Sequence, residues 1–318
     1  MPKLLVATLL ICGPISAAVT VEKTAYAGWP NCYRLSNGEV ELVVTADVGP
    51  RIIRYGYVGG QNLFVELEED LGQTGGDGWR LYGGSRLWVA PEDRVFSYGA
   101  DNEPVEIEVS GSKLTALAPV ENTGVQKRIT VELADRGTEA RVTYGLANRT
   151  IWPLRIATWV LTMMNRGGTA VTTLPPRGTH PEILAPTNPV VLFAFTNMSD
   201  SRWSWLEKYI VLRQDPGNSD PEKIGLFNPA TRGAYLLNGE LFVKKFGASP
   251  DEEYPDMGSS FEVFTNERFL ELETLGPMRT LRPGESMEHV ETWSLHRPVA
   301  VERWDDEGLD RALAPYLD

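Results

Sequence analysis

Cysteine is scarce. The 318 residues hold two, Cys12 and Cys32. Cys12 falls inside a leader-like N-terminus, so the mature chain would keep Cys32 alone, which excludes an internal disulfide and a thiolate metal cluster. Cys32 lies in "GWPNCYRL", without a histidine or a run of cations to activate it, and is expected as a buried, inert thiol. Histidine is nearly as rare: His180, His289 and His296 are the three. None has a histidine partner two or four residues away, so no metal site and no cofactor is expected. Basic charge is in deficit, with 30 Lys and Arg against 43 Asp and Glu and a net charge of −13. Nucleic acid and anionic membranes require a basic stripe that the chain lacks, whereas neutral, hydroxyl-rich ligands stay open. Beyond the first residues no apolar run approaches the roughly 20 needed to span a bilayer, so no membrane insertion is expected.

What is present begins with residues 1–18: one cation, Lys3, then an apolar run over 4–15, then Ser16-Ala17-Ala18. This pattern predicts a signal peptide cut after Ala18 and an exported protein, periplasmic or extracellular. The rest, residues 19–318, is rich in glycine and proline without a repeat, and period-2 patterns recur between these breakers: "EVELVVTA" (39–46), "VEIEVSG" (105–111), "VQKRITVELA" (125–134), "EARVTYGLA" (139–147). Such segments suit half-buried antiparallel strands. Further strands are expected at 154–164, 190–196, 209–214, 233–246 and 289–295. Asn238-Gly239 should turn a hairpin that pairs 234–237 with 240–243. The only good helix pattern is C-terminal, "AVERWDDEGLDRALAPYL". The fold class expected is all-β, one large antiparallel sandwich with a short C-terminal helix. Long loops at 66–104 and 165–190 are expected to carry the ligand site.

"SSFEVFT" and "RFLELET" read as a hairpin turned by Asn266-Glu267, which would set Glu262 across from Glu271 and Ser260 across from Glu273. The carboxylates then share one face, either a solvated outer surface or the floor of a polar ligand site. "GWRLYGGSRLWVAPED" (78–93) gathers Trp79, Arg86 and Trp88 around Gly83-Gly84, and flat aromatics beside Arg and Glu suit the apolar faces and polar rims of sugars. "LPPRGTHPE" (174–182) holds Arg177 and His180 in a stiff loop, with His180 the best of the histidines for an acid. "SDSRWSW" (199–205) reads as a rim of the same cleft, and "EYPDMGSSFE" (253–262) brings Asp256 ahead of the glutamate hairpin.

These residues carry a resemblance. "FLELETLGP" followed by "LRPGESMEHVETWSL" (281–295) resembles the end of the galactose mutarotase (aldose 1-epimerase) superfamily, and "LYGGSRLWVAPED" resembles its early Gly-Gly segment. Together with "PPRGTHPE" and "YPDMGSSFE", the motifs are similar to those of a bacterial, exported branch. The resemblance implies an antiparallel β-supersandwich that binds a mono- or oligosaccharide in a concave cleft. It also implies ring opening by a glutamate base and an acid, with the base falling on Glu273. Where the superfamily carries its acid histidine, this chain reads "ANRTIWPLRIATWVLTMM" (147–164) without one, and His180 is the substitute. The substrate contacts implied are Trp79, Arg86, Trp88, Arg177, Asp256, Glu262 and Glu271, and Glu273, Arg86, Arg177 and His180 should converge on one concavity. A sugar-recognition module without turnover and a purely structural sandwich are the alternatives. The last would leave Glu262, Glu271 and Glu273 in solvent.

Overall fold

Alternating and fully apolar strand segments have built two antiparallel sheets packed face to face. The computed structural model describes residues 18–187, 189–227, 229 and 232–317; the leader expected over 1–18 lies outside these but for Ala18. The first sheet runs β1 (Thr20–Tyr26), β2 (Trp29–Ser36), β3 (Val40–Thr45), β4 (Arg51–Tyr57), β5 (Gly84–Ala90), β10 (Leu154–Met164), β19 (Leu270–Leu275), β18 (Phe261–Thr265), β15 (Glu222–Leu226), β12 (Val190–Leu192), with β20 (Arg279–Leu281) on the other end of β10. The second runs β13 (Trp203–Trp205), β14 (Tyr209–Arg213), β11 (Thr169–Thr173), β16 (Arg232–Leu237), β17 (Glu240–Phe246), β21 (Ser286–His296), β9 (Ala140–Asn148), β8 (Val125–Leu133), β7 (Lys113–Val120), β6 (Glu106–Ser110). The expected all-β sandwich is therefore present. Asn238-Gly239 turns β16 into β17 with both residues at positive φ, and Leu237 pairs with Glu240, as the hairpin signal requires.

The inner faces meet over an apolar core. Tyr55 of β4 and the neighbouring Phe64 contact Phe242 and Trp293 of the second sheet at ring-centre distances of 5.4–6.1 Å. Each such side chain contributes about 1.5–3 kcal/mol by leaving water. The C-terminal helix (Asp306–Leu317) buries Leu309, Leu313 and Leu317, spaced by four, against Val171, Val211 and Val243 of the second sheet. Asp305 caps it by accepting the Gly308 N–H at 2.8 Å, as an N-terminal aspartate should. Cys32 is buried, as expected, and burial first, then the charge of Asp47, push its thiol up to about 12. Among the described residues no helix is long and apolar enough to cross a membrane.

Both long loops contain strands. The Gly83-Gly84 segment leads into β5, all of whose residues are buried in the middle of the first sheet. Both glycines have positive φ, and a Cβ would lie 2.0 Å from Val65 O at Gly83 and 2.3 Å from Ile52 O at Gly84. The glycines are there because two neighbouring backbones press on the entry to β5, not because the segment is a loop. Likewise β11 interrupts 165–190 and pairs with β14 and β16.

A buried polar cluster between the sheets fixes β19. Lys244 Nζ lies 3.0 Å from Glu291 Oε1 and donates to Thr162 Oγ1 at 2.7 Å and Leu272 O at 3.1 Å. Thr274 donates to Glu291, and His289 Nε2 lies 3.0 Å from Thr274 Oγ1. Burial drives the His289 imidazole down to about 4, so it is neutral at pH 7. Leu270, Leu272 and Thr274 thus face inward, and by the period-2 rule Glu271 and Glu273 face out.

Candidate functional site

On the outer face of the first sheet, register places the chemistry in rows across neighbouring strands. Arg86, Leu161, Glu273, Glu262 and Gly225 stand side by side from β5 to β15. The next row is Gly84, Met163, Glu271, Phe264 and Lys223. Loops before and after β5 close over these rows and leave a cleft of about 350 Å³, lined among others by Trp79, Arg86, Trp88, Tyr98, Trp159, Lys223, Glu271 and Glu273.

The glutamate hairpin differs from the expected register. Glu262 faces Glu273, and Glu271 faces Phe264. The turn is longer than Asn266-Glu267: Asn266 Oδ1 accepts the N–H groups of Arg268 at 2.7 Å and Phe269 at 3.2 Å, and Asn266 N donates to Phe269 O at 3.1 Å. An asparagine closing its own turn shifted the pairing by two residues along the partner strand. The shared face survived, because a shift of two leaves every side chain on its original side.

That face is not solvated. Glu262 and Glu273 are 0 % exposed and Glu271 is 6 %. Buried carboxylates need compensation, and Lys223, which the sequence reading overlooked, supplies it. Its Nζ lies 2.7 Å from Glu262 Oε2 and 2.9 Å from Glu273 Oε2, and 4.8 Å from the ring centre of Trp159. Burial alone would lower the Lys223 ammonium, but the charges of Glu273 and Glu262 outweigh it and raise it. Trp159 Nε1 donates to the same Glu273 Oε2 at 2.7 Å. Two donors thus converge on one oxygen of Glu273.

Glu271, one position along the same face, is bonded to neither. Burial first, then the charge of Glu273, push its carboxyl up to about 8 against the opposing pull of Arg86 and Lys223. That rise favours its protonated form. Burial also raises Glu262, with Lys223 opposing and Glu273 and Asp256 adding to the rise. Asp256 is half-buried beside this group, raised by burial and lowered in part by Lys223; it flanks the cleft without lining it.

Aromatic rings wall the cleft. Trp88 meets Trp159 at 5.4 Å, Tyr98 at 4.8 Å and Trp79 at 6.0 Å between ring centres. The Arg86 guanidinium lies over Trp88, with Cζ 4.3 Å from the ring centre. Four polar atoms on cleft residues are buried without a hydrogen-bond partner: Arg86 Nε, Trp88 Nε1, Glu271 Oε1 and Glu273 Oε1. Such atoms are uncommon, and a cluster on one concavity calls for a ligand that would pair them.

Of the residues singled out in the sequence, Trp79, Arg86, Trp88, Glu271 and Glu273 line this cleft, and Glu262 lies beneath it through Lys223. Arg177 and His180 do not join them. Both are exposed; Arg177 lines a separate hollow of about 400 Å³ with Thr173, Glu207, Lys208 and Tyr209 beside the second sheet. The strand β11 carries their loop off to that sheet, which is why the expected convergence fails. Nor does "SDSRWSW" rim the cleft: Arg202 pairs with Asp200 at 3.0 Å, and Trp203 Nε1 donates to Glu222 Oε2 at 2.9 Å. Trp159 and Lys223 were the residues missed. The one signal for Lys223 was a charged pair, Glu222-Lys223, opening an otherwise apolar strand.

No protein-family model and no curated protein matches the chain. Solved structures do match. A galactose mutarotase-like protein from Lactobacillus casei is 12 % identical with a TM-score of 0.55, over 84 % of this chain and 100 % of that one. A galactose mutarotase related enzyme from Lactobacillus acidophilus is 10 % identical with a TM-score of 0.52, over 84 % and 98 %. A Klebsiella pneumoniae protein provisionally named an aldose 1-epimerase is 12 % identical with a TM-score of 0.58, over 88 % and 83 %. The chain has the galactose mutarotase-like fold.

Proposed function

We propose that the protein binds a carbohydrate in this cleft and exchanges its anomers, an aldose 1-epimerase-type isomerisation with Glu273 as base and Glu271 as acid. The observation that carries the proposal is the unequal pair on β19: two neighbouring carboxyls, one held by Lys223 and Trp159, the other left without a cation at hydrogen-bond distance. Paired carboxyls whose surroundings separate their protonation states are how acid and base roles are divided at one pH. Their Cα atoms are roughly 7 Å apart along the strand, a spacing that lets the two side chains reach the two oxygens on C1 of one sugar.

Glu273 takes the proton of the anomeric hydroxyl while Glu271 gives its own to the ring oxygen. The bond from C1 to the ring oxygen breaks, the aldehyde turns about C1–C2, and closure in reverse returns both protons. Each such transfer contributes typically 10²–10⁴-fold. The aromatic wall takes the apolar face of the sugar and the unpaired atoms its hydroxyls. The fold shared with galactose mutarotase-like structures supports a sugar-related role. His180 has no part in this scheme.

The test is polarimetry on freshly dissolved single anomers of aldohexoses and hexuronates. The protein should speed exchange of at least one, and Glu273→Gln should reduce the rate by about a hundredfold or more. Equal rates for protein and variant would remove the catalytic step. Binding without any exchange would favour a recognition module, for which one observation also speaks: Glu273 Oε2 accepts both Trp159 and Lys223, a fixed acceptor suited to holding a hydroxyl.

A further inference from the structure

Arg86 is 2 % exposed, and among the described residues its guanidinium makes neither a hydrogen bond nor an ion pair. It is held by stacking alone, with Cζ 4.3 Å from the ring centre of Trp88 and 5.5 Å from that of Trp79. The other cation of the cleft, Lys223, is taken up between Glu262 and Glu273. A second buried guanidinium stands beside Arg86. Arg51 pairs with it across β4 and β5, donates Nη1 to Leu81 O at 2.9 Å and Gly83 O at 2.6 Å, and leaves Nε and Nη2 without acceptors. Burial first, then the adjacent charge of Arg86, lower the Arg51 guanidinium. Two neighbouring buried cations thus lack a bonded carboxylate, although buried charges are ordinarily paired.

We propose that the cleft recognises a sugar bearing one carboxylate, a hexuronate, whose carboxylate occupies the fork of Arg86 while its C1 meets Glu271 and Glu273. This rests on the carbohydrate-binding reading. A planar carboxylate matches the guanidinium fork with two parallel hydrogen bonds. Register supports the span: Arg86 and Glu273 flank Leu161 on adjacent strands, so their Cα atoms are about 10 Å apart, and both side chains reach inward over one pyranose ring. A single negative charge fits better than two. A phosphomonoester would set its second charge against Glu273 and Glu92, which line the same cleft, while Arg51 does not line it and Lys223 is taken up by Glu262 and Glu273.

The experiment is calorimetric titration of the protein at pH 7 with galacturonate, glucuronate and mannuronate, each against its parent hexose, and with galactose 6-phosphate. Each pair differs only at C6. At least one hexuronate should bind roughly ten- to a hundredfold more tightly than its hexose, the range of a charge-assisted hydrogen bond. Arg86→Gln should bring the two to within a few fold, and Arg86→Lys should retain part of the preference. If neither variant folds, salt decides: the hexuronate should weaken as NaCl rises and the hexose should not. Hexoses binding as tightly as hexuronates, or the sugar phosphate binding tightest, overturns the proposal and leaves carbohydrate binding standing. Binding of none of these sugars overturns both.

Discussion

Lys223→Met removes the cation that bridges two buried glutamates, and the consequence can be worked from the geometry. Its Nζ lies 2.7 Å from Glu262 and 2.9 Å from Glu273, and all three residues are at most 6 % exposed. At an effective dielectric of about 20, each contact is worth about 6 kcal/mol of Coulomb energy. Desolvation of the three charges offsets most of that, and breaking a buried pair by removing one partner costs about 3–5 kcal/mol net. For a chain of this size, with an unfolding entropy of roughly 0.6 kcal/mol per kelvin, Tm should fall by about 5–8 °C. The cost should depend on pH. Without Lys223 the glutamates are driven to bind protons in the folded state that the unfolded chain has released. Stability of the variant therefore rises as pH falls, and its deficit shrinks between pH 8 and pH 5. Urea melts of both proteins at these two pH values measure it. A deficit that is the same at both, or below about 1 kcal/mol at pH 8, would show that Lys223 fills space rather than balances charge.

Glu271→Gln should act in the opposite direction. The folded-state value of Glu271, about 8, lies above its ordinary 4.5, so the stability its proton lends is complete below 4.5 and is lost as pH rises through about 8. The variant should be more stable than the parent at pH 8 and almost equal to it at pH 4.5; equal melts at both would place Glu271 among ordinary ionised carboxylates. Cys32, with its thiol pushed up to about 12, should resist alkylation in the native protein and react once urea unfolds it. Labelling of the folded protein at the rate of a free thiol would contradict its burial.

Much of the fold was legible where one physical signal acted alone. The strand expected over 154–164 is β10 with those bounds, and Asn238-Gly239 set its hairpin because positive φ at two successive positions leaves few other turns. Legibility failed where a residue type carried two meanings. Gly83-Gly84 looked like a loop, but glycine also serves where backbones crowd, and β5 lies at the centre of the sheet. Asn266 looked like part of a two-residue turn, yet its side chain closed a longer one.

The site divided along the same line. Glu271 and Glu273 were found because period-2 spacing fixes a shared face whatever the pairing register. Trp159 was hidden in a strand buried on both sides, where alternation carries no sign of which face holds the ligand. Arg177 and His180 drew notice by residue type and loop stiffness, neither of which fixes a position in space. Arg86 was read as a partner for sugar hydroxyls, and only the folded chain revealed it as a buried cation without a bonded counter-charge.

Soaking crystals with the tightest-binding sugar tests most directly whether the unpaired atoms of the cleft exist for a carbohydrate. The ring should lie against Trp88, with sugar oxygens within about 3 Å of Arg86 Nε, Trp88 Nε1, Glu271 Oε1 and Glu273 Oε1. A sugar ordered elsewhere, or a cleft whose four atoms are satisfied by water at saturating sugar, would contradict it.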